Sequence, residues 1–556
     1  MLYSAIKQRK AFLFSTLRPF GYITLPANTN QAEGLAKYAI DFMAQDHSKI
    51  DESVYNRTRL FHTDSVLCGI SAIAQRTNAP NLLRKEAIKQ YSINPSVIKD
   101  DSSIRVSKCL GSKVWTHAEK AIAANCSAVR EWDSNGTVFG YNPHMKGHDA
   151  GEFGHNDFYP VVIAACQNNS QYSGADALKA MVLLDEIRGR LCEVFSLKSY
   201  KIDHVVHGAI ASACVYGAML GATPLQIEHA IGMVIAHYIP WRAIRAGKQL
   251  SDSKGASAAI STEAAIIAVH RAMAGFIGPK DIFRNPEAIF RYFEPTQSHS
   301  QSPFDIVLSK TGKDFAVMGM HFKLGLYEHQ SASAIGGLID MLSAHPAEIL
   351  DGGNHNNISK IKITSYEPAF GIIGDPAKRN PTTRQSADHS MVYILSSVLR
   401  KAFEKHDNIT SEHTIDDLWK YLMLLPADYG KNALYNEVTR KLMTKIEFEH
   451  GGPEYDSQYP KGIPTSIKLE TAKGQSFDSG LVLFPGGHSQ NETVSLQSIL
   501  QHKFIRLGSL ALEKEELVQF VLNLENIKEL TNEQLRDIYD CNIKYSEEPI
   551  DGKLEG

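Results

Sequence analysis

The chain has 556 residues, 43% hydrophobic and 21% charged, which is enough to bury a large core and excludes a disordered chain or a disulfide-stapled miniprotein. With 58 Lys and Arg against 61 Asp and Glu the net charge is −3, and no basic stripe interleaved with aromatics occurs, which argues against a nucleic-acid reader. No run of 18 apolar residues is present, so no membrane-spanning helix is expected.

In chain order, the first 31 residues carry Lys7, Arg9, Lys10 and Arg18 with no acid before Glu33, and without them 54 basic residues face 61 acidic ones. A basic, hydroxyl-bearing, mildly amphipathic leader over 1–31 fits a mitochondrial transit peptide, with a disordered or surface-packed tail as the plain alternative. Residues 32–317 repeat apolar positions at three- and four-residue spacing and predict the first part of an all-helical domain. Within it, Gly221 can close one helix while Thr223, Pro224 and Gln226 form the capping start of the next.

From about residue 318 the texture changes. Lys360–Thr364 and Ser466–Thr471 alternate like half-buried strands, the second followed by a Lys-Gly-Gln turn and the apolar run Leu481–Phe484. With helical patterns at Met391–Glu404 and Ile415–Leu425 they predict a smaller α+β lid over 318–484. Helical pattern returns over 485–548, at Ser495–Arg506, Glu513–Leu524 and Asn532–Asp540, so the carboxy-terminal part is expected to rejoin the helical domain. Ser546–Gly556 reads as a frayed end, with 549–556 as a tail. The expected class is mainly α with a smaller α+β domain. The seven cysteines are dispersed, with no C-x-x-C pair, which fits buried thiols in a reducing compartment and argues against an iron–sulfur cluster.

Polar residues concentrate in Glu131–Thr137 and again in Gly147–Asp157. Three readings stay open there. Asp133 and His155 can form an acid/base pair; His148, Glu152 and His155 can bind a metal from one helical face, although Gly151 and Gly154 weaken such a helix; or the loop is merely solvated, its histidines satisfied in the core. A second cluster, Asp203-His204 at the start of an apolar helix, is more often a structural cap. A third places Arg242, Arg245, Lys248 and Lys254 between two apolar helices, ordinarily a solvated run but able to hold carboxylates. His321, Lys323 and His329 lie where the two domains meet, and Arg384, Asp388, His389, Ser390 and Tyr393 run into a lid helix. Phosphate-loop, dinucleotide and G-x-S-x-G patterns are missing, which lowers kinase, dehydrogenase and serine-hydrolase readings.

These clusters carry a resemblance. Gly111-Ser112 through Glu131–Thr137, Gly154-His155, Ile202-Asp203-His204, Ser253-Lys254-Gly255, Phe322-Lys323, Asp388–Tyr393 and Gly487-His488 resemble, in order, motifs of the MmgE/PrpD family over about residues 33–545. The resemblance implies a helical domain built from both chain ends, an α+β lid, a homodimer, and cofactor-free, metal-free chemistry on a tricarboxylate. Elimination of water from 2-methylcitrate in the mitochondrial matrix is the leading expectation, towards which the charge of Arg242, Arg245 and Lys248 tips the choice. Decarboxylation of cis-aconitate or a catalytically silent tricarboxylate-binding homologue are the alternatives. Carried over, Asp133, Thr137, His155, His204, Lys254, Lys323 and Tyr393 occupy family site positions. On this reading Asp133, His155, Lys254 and Lys323 are catalytic; Thr137, His204, Arg242, Arg245, Arg384, Tyr393 and His329 bind substrate.

Overall fold

The computed structural model describes residues 21–100, 104–245, 249–298 and 300–552. Most of the expected leader, up to residue 20, and Lys248 lie outside the described residues. The end of the leader segment, from Tyr22, is held in the fold by strand pairing. Among the short strands that edge the helical body are β1 (Tyr22–Leu25), β2 (Thr137–Phe139), β3 (Phe153–His155) and β4 (Ile306–Ser309), pairing as β1 with β4 and β2 with β3, both antiparallel.

The body is built from α1 (Gln31–Ala44), α2 (Glu52–Ala74), α3 (Ala118–Arg130), α4 (Gly174–Val194), α5 (Val205–Met219), α6 (Pro224–His237) and α7 (Asp252–Met273). α7 packs against α3, α5 and α6, and α2 against α3 and α4. Ala and Gly on these faces, among them Ala256, Ala258 and Ala259, are buried and let the helices approach closely. α6 starts as its sequence predicts, with Thr223 and Gln226 completing a reciprocal capping box and Gly221 at φ +79° ending the preceding turn.

The lid holds a four-stranded sheet of β5 (Ile358–Ser365), β6 (Ile446–His450), β7 (Thr465–Thr471) and β8 (Ser476–Asp478) in the order β8-β7-β5-β6, with β6 parallel to β5 and the other pairs antiparallel. Helices α8 (Ala332–Ala344) and α9 (Met391–Glu404) pack in the same lid. Leu481–Phe484 does not supply the strand that follows β7. Gly474, at φ +80°, turns the chain early so that Ser476–Asp478 pairs instead, and Val482 keeps one bridge to Thr465. The helix expected at Ile415–Leu425 ends at Leu422, ahead of Pro426.

After the lid, α10 (Leu496–Gly508) and α11 (Lys514–Glu525) return to the body and pack on α2. Lys503 of α10 is fully buried. Its ammonium pairs with Asp64 of α2 at 2.6 Å and donates to the carbonyls of Ser134 at 2.7 Å and Lys323 at 2.9 Å. The chain beyond Ser546 is not frayed over its described length: Ser546 and Ile550 donate backbone N–H to Ala74 and Gln75, and Asp551 pairs with Arg384 at 3.0 Å.

The carboxy-terminal segment also presses on Gly174, at the first turn of α4, where an added Cβ would stand 1.6 Å from the Ile527 carbonyl oxygen. Alanine is the better helix former, but a backbone carbonyl cannot rotate away. Gly174→Ala is expected to lose about 1–3 kcal/mol in chemical denaturation, and an unchanged midpoint would show that this contact is slack.

Candidate active site

α3 ends at Arg130, and the chain turns through Asp133 in the left-handed region at φ +47°, a conformation that Asp tolerates better than most residues. The turn is buried, not solvated: Glu131, Asp133, Ser134, Asn135 and Thr137 are all within 1% of full burial. A carboxylate just past a helix carboxy terminus is unfavourably placed in the helix field and needs cations. Asp133 has them. Lys323 donates to its Oδ1, Arg130 pairs with it at 3.1 Å, Lys254 lies at 3.7 Å, and His389 Nδ1 approaches Oδ2 at 3.1 Å. Burial alone raises its pKa, but the fields of Arg130 and Lys323, joined by Lys254, outweigh this and hold the carboxyl well below the ordinary range.

Asp388, on the lid segment leading into α9, is matched in the same way. Lys254 donates to both its oxygens at 2.6 and 2.8 Å, and His389 Nδ1 lies 2.7 Å from Oδ1. Lys254 therefore ties the first turn of α7 to the lid, and burial lowers its pKa.

The β2–β3 hairpin sets Thr137 opposite His155. The Thr137 hydroxyl donates to the Gly154 carbonyl at 2.9 Å, so it braces the hairpin, and Thr137 exchanges backbone hydrogen bonds with His321 at the lid junction. His155 Nδ1 lies 3.4 Å from the Lys323 ammonium; burial, then the charges of Arg130 and Lys323, keep the imidazole neutral. Its ring meets His204 edge-on at 5.2 Å.

His204, at the start of α5, directs Nδ1 to Asp203 Oδ1 at 2.8 Å, while its buried Nε2 has no partner. Arg245 pairs with Asp203, and Ser257 adds a contact at 3.4 Å. Burial would raise the Asp203 pKa, but Arg245 and His204 hold it well below the ordinary range. Because Asp203 can only accept, Nδ1 carries a proton, which leaves Nε2 as the ring atom free to face a ligand. Sequence reasoning singled out His204; its orphaned ring nitrogen is visible only in the structure.

The expected binding residues divide. His329 joins the cluster with both ring nitrogens buried and unpartnered, stacked on His321 at 5.2 Å, which in turn stacks on His488 at 4.0 Å. A cavity of about 190 Å³ shares Phe139, His321 and His488 with this stack. Arg242 is half-buried over the Phe153 ring at 5.8 Å and forms no ion pair among the described residues. Arg245 acts on Asp203. Arg384 is not brought to the cluster: it pairs with Glu131 and Asp551 and covers the Trp132 ring at 5.0 Å. Tyr393 is engaged inside the lid, its hydroxyl donating to the Asp428 carbonyl at 2.7 Å.

Tyr366, Tyr459, Glu328 and Lys378, not singled out in the sequence, complete the surroundings. The Tyr366 hydroxyl is fully buried and unpartnered, its ring stacked on Tyr459 at 5.1 Å. Tyr459 meets Phe139 edge-on at 5.7 Å and accepts from Lys198 at 2.9 Å. Glu328 and Lys378 are buried on the lid side. Tyr366 follows a strand and Lys378 sits in a Pro-Ala-Lys turn, so neither position carried a motif signal.

The metal reading of His148, Glu152 and His155 fails. The segment is a loop and hairpin strand instead of a helix, His148 pairs with Glu193 at 2.7 Å, and Glu152 accepts from the Lys198 N–H at 2.6 Å. Asp133, Asp388 and His389 do place ligand atoms within 4.8 Å of one another. Their carboxylates are already matched by Lys254, Lys323 and Arg130, which a cation would have to displace, so this donor set does not fit a resident metal.

Residues 33–302 match the MmgE/PrpD N-terminal domain and residues 327–526 the MmgE/PrpD C-terminal domain. The chain is 20% identical over 368 residues to 2-methylcitrate dehydratase of Escherichia coli (strain K12), covering 65% of this chain and 70% of that protein. It is 21% identical over 525 residues to a probable 2-methylcitrate dehydratase of Saccharomyces cerevisiae, covering 90% of both. To a protein of Yarrowia lipolytica named 2-methylcitrate dehydratase, mitochondrial, it is 23% identical over 334 residues, covering 60% of this chain and 58% of that one.

Proposed function

The chain belongs to the MmgE/PrpD family, and from that premise we propose that it is a cofactor-independent hydro-lyase that eliminates water from 2-methylcitrate to give 2-methyl-aconitate. The observation that carries this reading is the juxtaposition of a buried cation cluster with an aimed base. Lys254, Lys323 and Arg130 surround Asp133, and the Asp203–His204 pair presents a bare Nε2 beside His155.

In the mechanism, Lys254 and Lys323 hold substrate carboxylates and stabilise the enediolate-like charge that builds as the carbon-bound proton leaves. His204 Nε2 takes that proton, and Asp203, kept ionised by Arg245, supports the imidazolium as it forms. Asp133 is held too firmly as a carboxylate to act as a base, so it positions the two ammonium groups, and neutral His155 orients the substrate. Asp133, Lys254 and Lys323 are 0% exposed, so substrate enters only when the lid moves away from the body. The basic leader and the mitochondrial relative support placement in the mitochondrial matrix, and a dimer of identical chains is part of the same reading. Among the described residues no helix is long and apolar enough to cross a membrane.

The test is to incubate chelator-treated protein separately with 2-methylcitrate, citrate and cis-aconitate and to identify products by mass. Loss of water from 2-methylcitrate is expected. Carbon dioxide from cis-aconitate moves the assignment to a decarboxylase, and binding without product leaves a silent homologue.

A further inference from the structure

The lid segment from Lys323 to Ser331 wraps around the Asp133 turn: the Lys323 ammonium reaches Asp133, Tyr327 N–H donates to the Asp133 carbonyl at 3.3 Å, and Glu328 N–H donates to the Asp388 carbonyl at 2.8 Å. This backbone path brings the Glu328 side chain into the cluster, where it is only 6% exposed. Its Oε2 accepts from the Gln330 N–H at 2.8 Å, the one hydrogen bond of its carboxyl among the described residues. Asp133 and Asp388 each have ammonium partners, whereas Glu328 forms no ion pair among the described residues.

The atoms near it are also unsatisfied. Both nitrogens of His329, Oε1 of Gln330 and the Tyr366 hydroxyl are buried without partners. Phe139, Tyr459 and Tyr366 link ring to ring around this space, with His329 against Phe139 at 5.0 Å. These open polar groups all belong to the lid, with His329 set against Phe139 of the body, and a polar ligand would complete them.

We propose that Glu328 is a further catalytic residue of this site, the general acid that protonates the hydroxyl leaving a 3-hydroxycarboxylate substrate. The proposal rests on the dehydratase reading above. The carbon–hydrogen pair becomes the new double bond as His204 Nε2 takes the proton. The carbon–oxygen pair departs with the hydroxyl, which receives the Glu328 proton and leaves as water. Glu328 is then a carboxylate, stabilised by Lys323 and Lys378, and the site resets when His204 returns its proton to solvent and Glu328 regains one.

Its surroundings set the required protonation state. Burial, then the negative charge of Asp133, raises the Glu328 pKa to about 7, while Lys323, the Gln330 N–H and Lys378 pull the other way. Tyr366 and Tyr459 also feel its charge, and neutral His329 adjoins it. Two neighbouring carboxyls are therefore driven apart, Asp133 ionised and Glu328 protonatable near neutrality, the pattern that separates acid from anchor.

The test compares wild type with Glu328→Gln and Glu328→Asp, all checked for folding by circular dichroism and melting. In wild type, turnover should fall as pH rises through about 7, because the acid must be protonated. Glu328→Gln is expected to lose about 10²–10⁴-fold in kcat with a smaller change in KM and without that alkaline limb, and Glu328→Asp to recover part of it. A separate readout needs no turnover: the infrared difference between wild type and Glu328→Gln should show a protonated carboxyl band that bleaches through pH about 7. A folded Gln variant within threefold of wild type between pH 6 and 8 overturns the assignment, as does the absence of that band. Wild type inactive on every 3-hydroxycarboxylate, with the band present, overturns the dehydratase reading and the acid role with it, leaving the perturbed carboxyl standing.

Discussion

Asp133→Asn should be the most damaging single exchange in the site. It removes the only carboxylate that pairs with Lys323 among the described residues and one of two that face Lys254, while leaving both ammonium groups buried. Breaking a buried ion pair from one side costs about 3–5 kcal/mol, because the remaining charge has no compensation. Turnover should fall by at least 10²–10³-fold, roughly the effect of losing one preorganised electrostatic group. The double variant Asp133→Asn/Lys323→Met separates the two effects. It should recover much of the stability lost in the single variant, a coupling of about 1–3 kcal/mol, without recovering turnover. Urea unfolding of the four proteins in the cycle measures this, and additivity within about 0.5 kcal/mol would mean that Asp133 and Lys323 do not depend on each other.

The second large effect is loss of stability in mild acid. Burial keeps His62, His207, His389 and His488 neutral in the fold, with pKa values pushed down to about 3. Unfolded, each titrates near 6.5. Between those values the unfolded chain binds protons that the native state refuses, so stability is complete above about pH 7 and declines as pH falls. Each such group removes about 1.4 kcal/mol between pH 7.5 and 5.5, roughly 5 kcal/mol for the four, of which protonation of Glu328, raised to about 7 in the fold, returns about 2 kcal/mol. The depressed carboxylates Asp133 and Asp203 add their loss only lower, once pH drops below about 4. Melting curves from pH 8 to 5 should show Tm falling steeply below pH 6.5, and a flat Tm down to 5.5 would require these histidines to be charged or open to water in the fold.

How far these properties could be read from the sequence depended on how local their causes are. The start of α6 was legible because Thr223, Pro224 and Gln226 satisfy their own backbone within one turn. Asp133, His155, His204, Lys254 and Lys323 stood out as chemistry-bearing residues at element ends or a domain junction, and the fold gathers all five. Arg384 and Tyr393 had the same local appearance, yet Glu131, Asp551 and the Asp428 carbonyl occupy them from distant parts of the chain. Glu328 was missed for the converse reason. Nothing in Gly325–Ser331 distinguishes it, and its character arises from the approach of Asp133, nearly two hundred residues away. The reach of Asp551 to Arg384 is also nonlocal, which is why the end of the chain read as frayed.

Lys503 gives the order of chain synthesis a structural meaning. A ribosome releases Asp64, Ser134 and Lys323 long before α10, yet the Lys503 ammonium joins all three, and two of its acceptors are carbonyls in the segments that carry Asp133 and Lys323. Until α10 and α11 dock, α2 lacks part of its apolar cover and those two segments lack their shared clamp. The arrangement around Asp133 and Lys323 is therefore complete only once the last helices of the chain have docked.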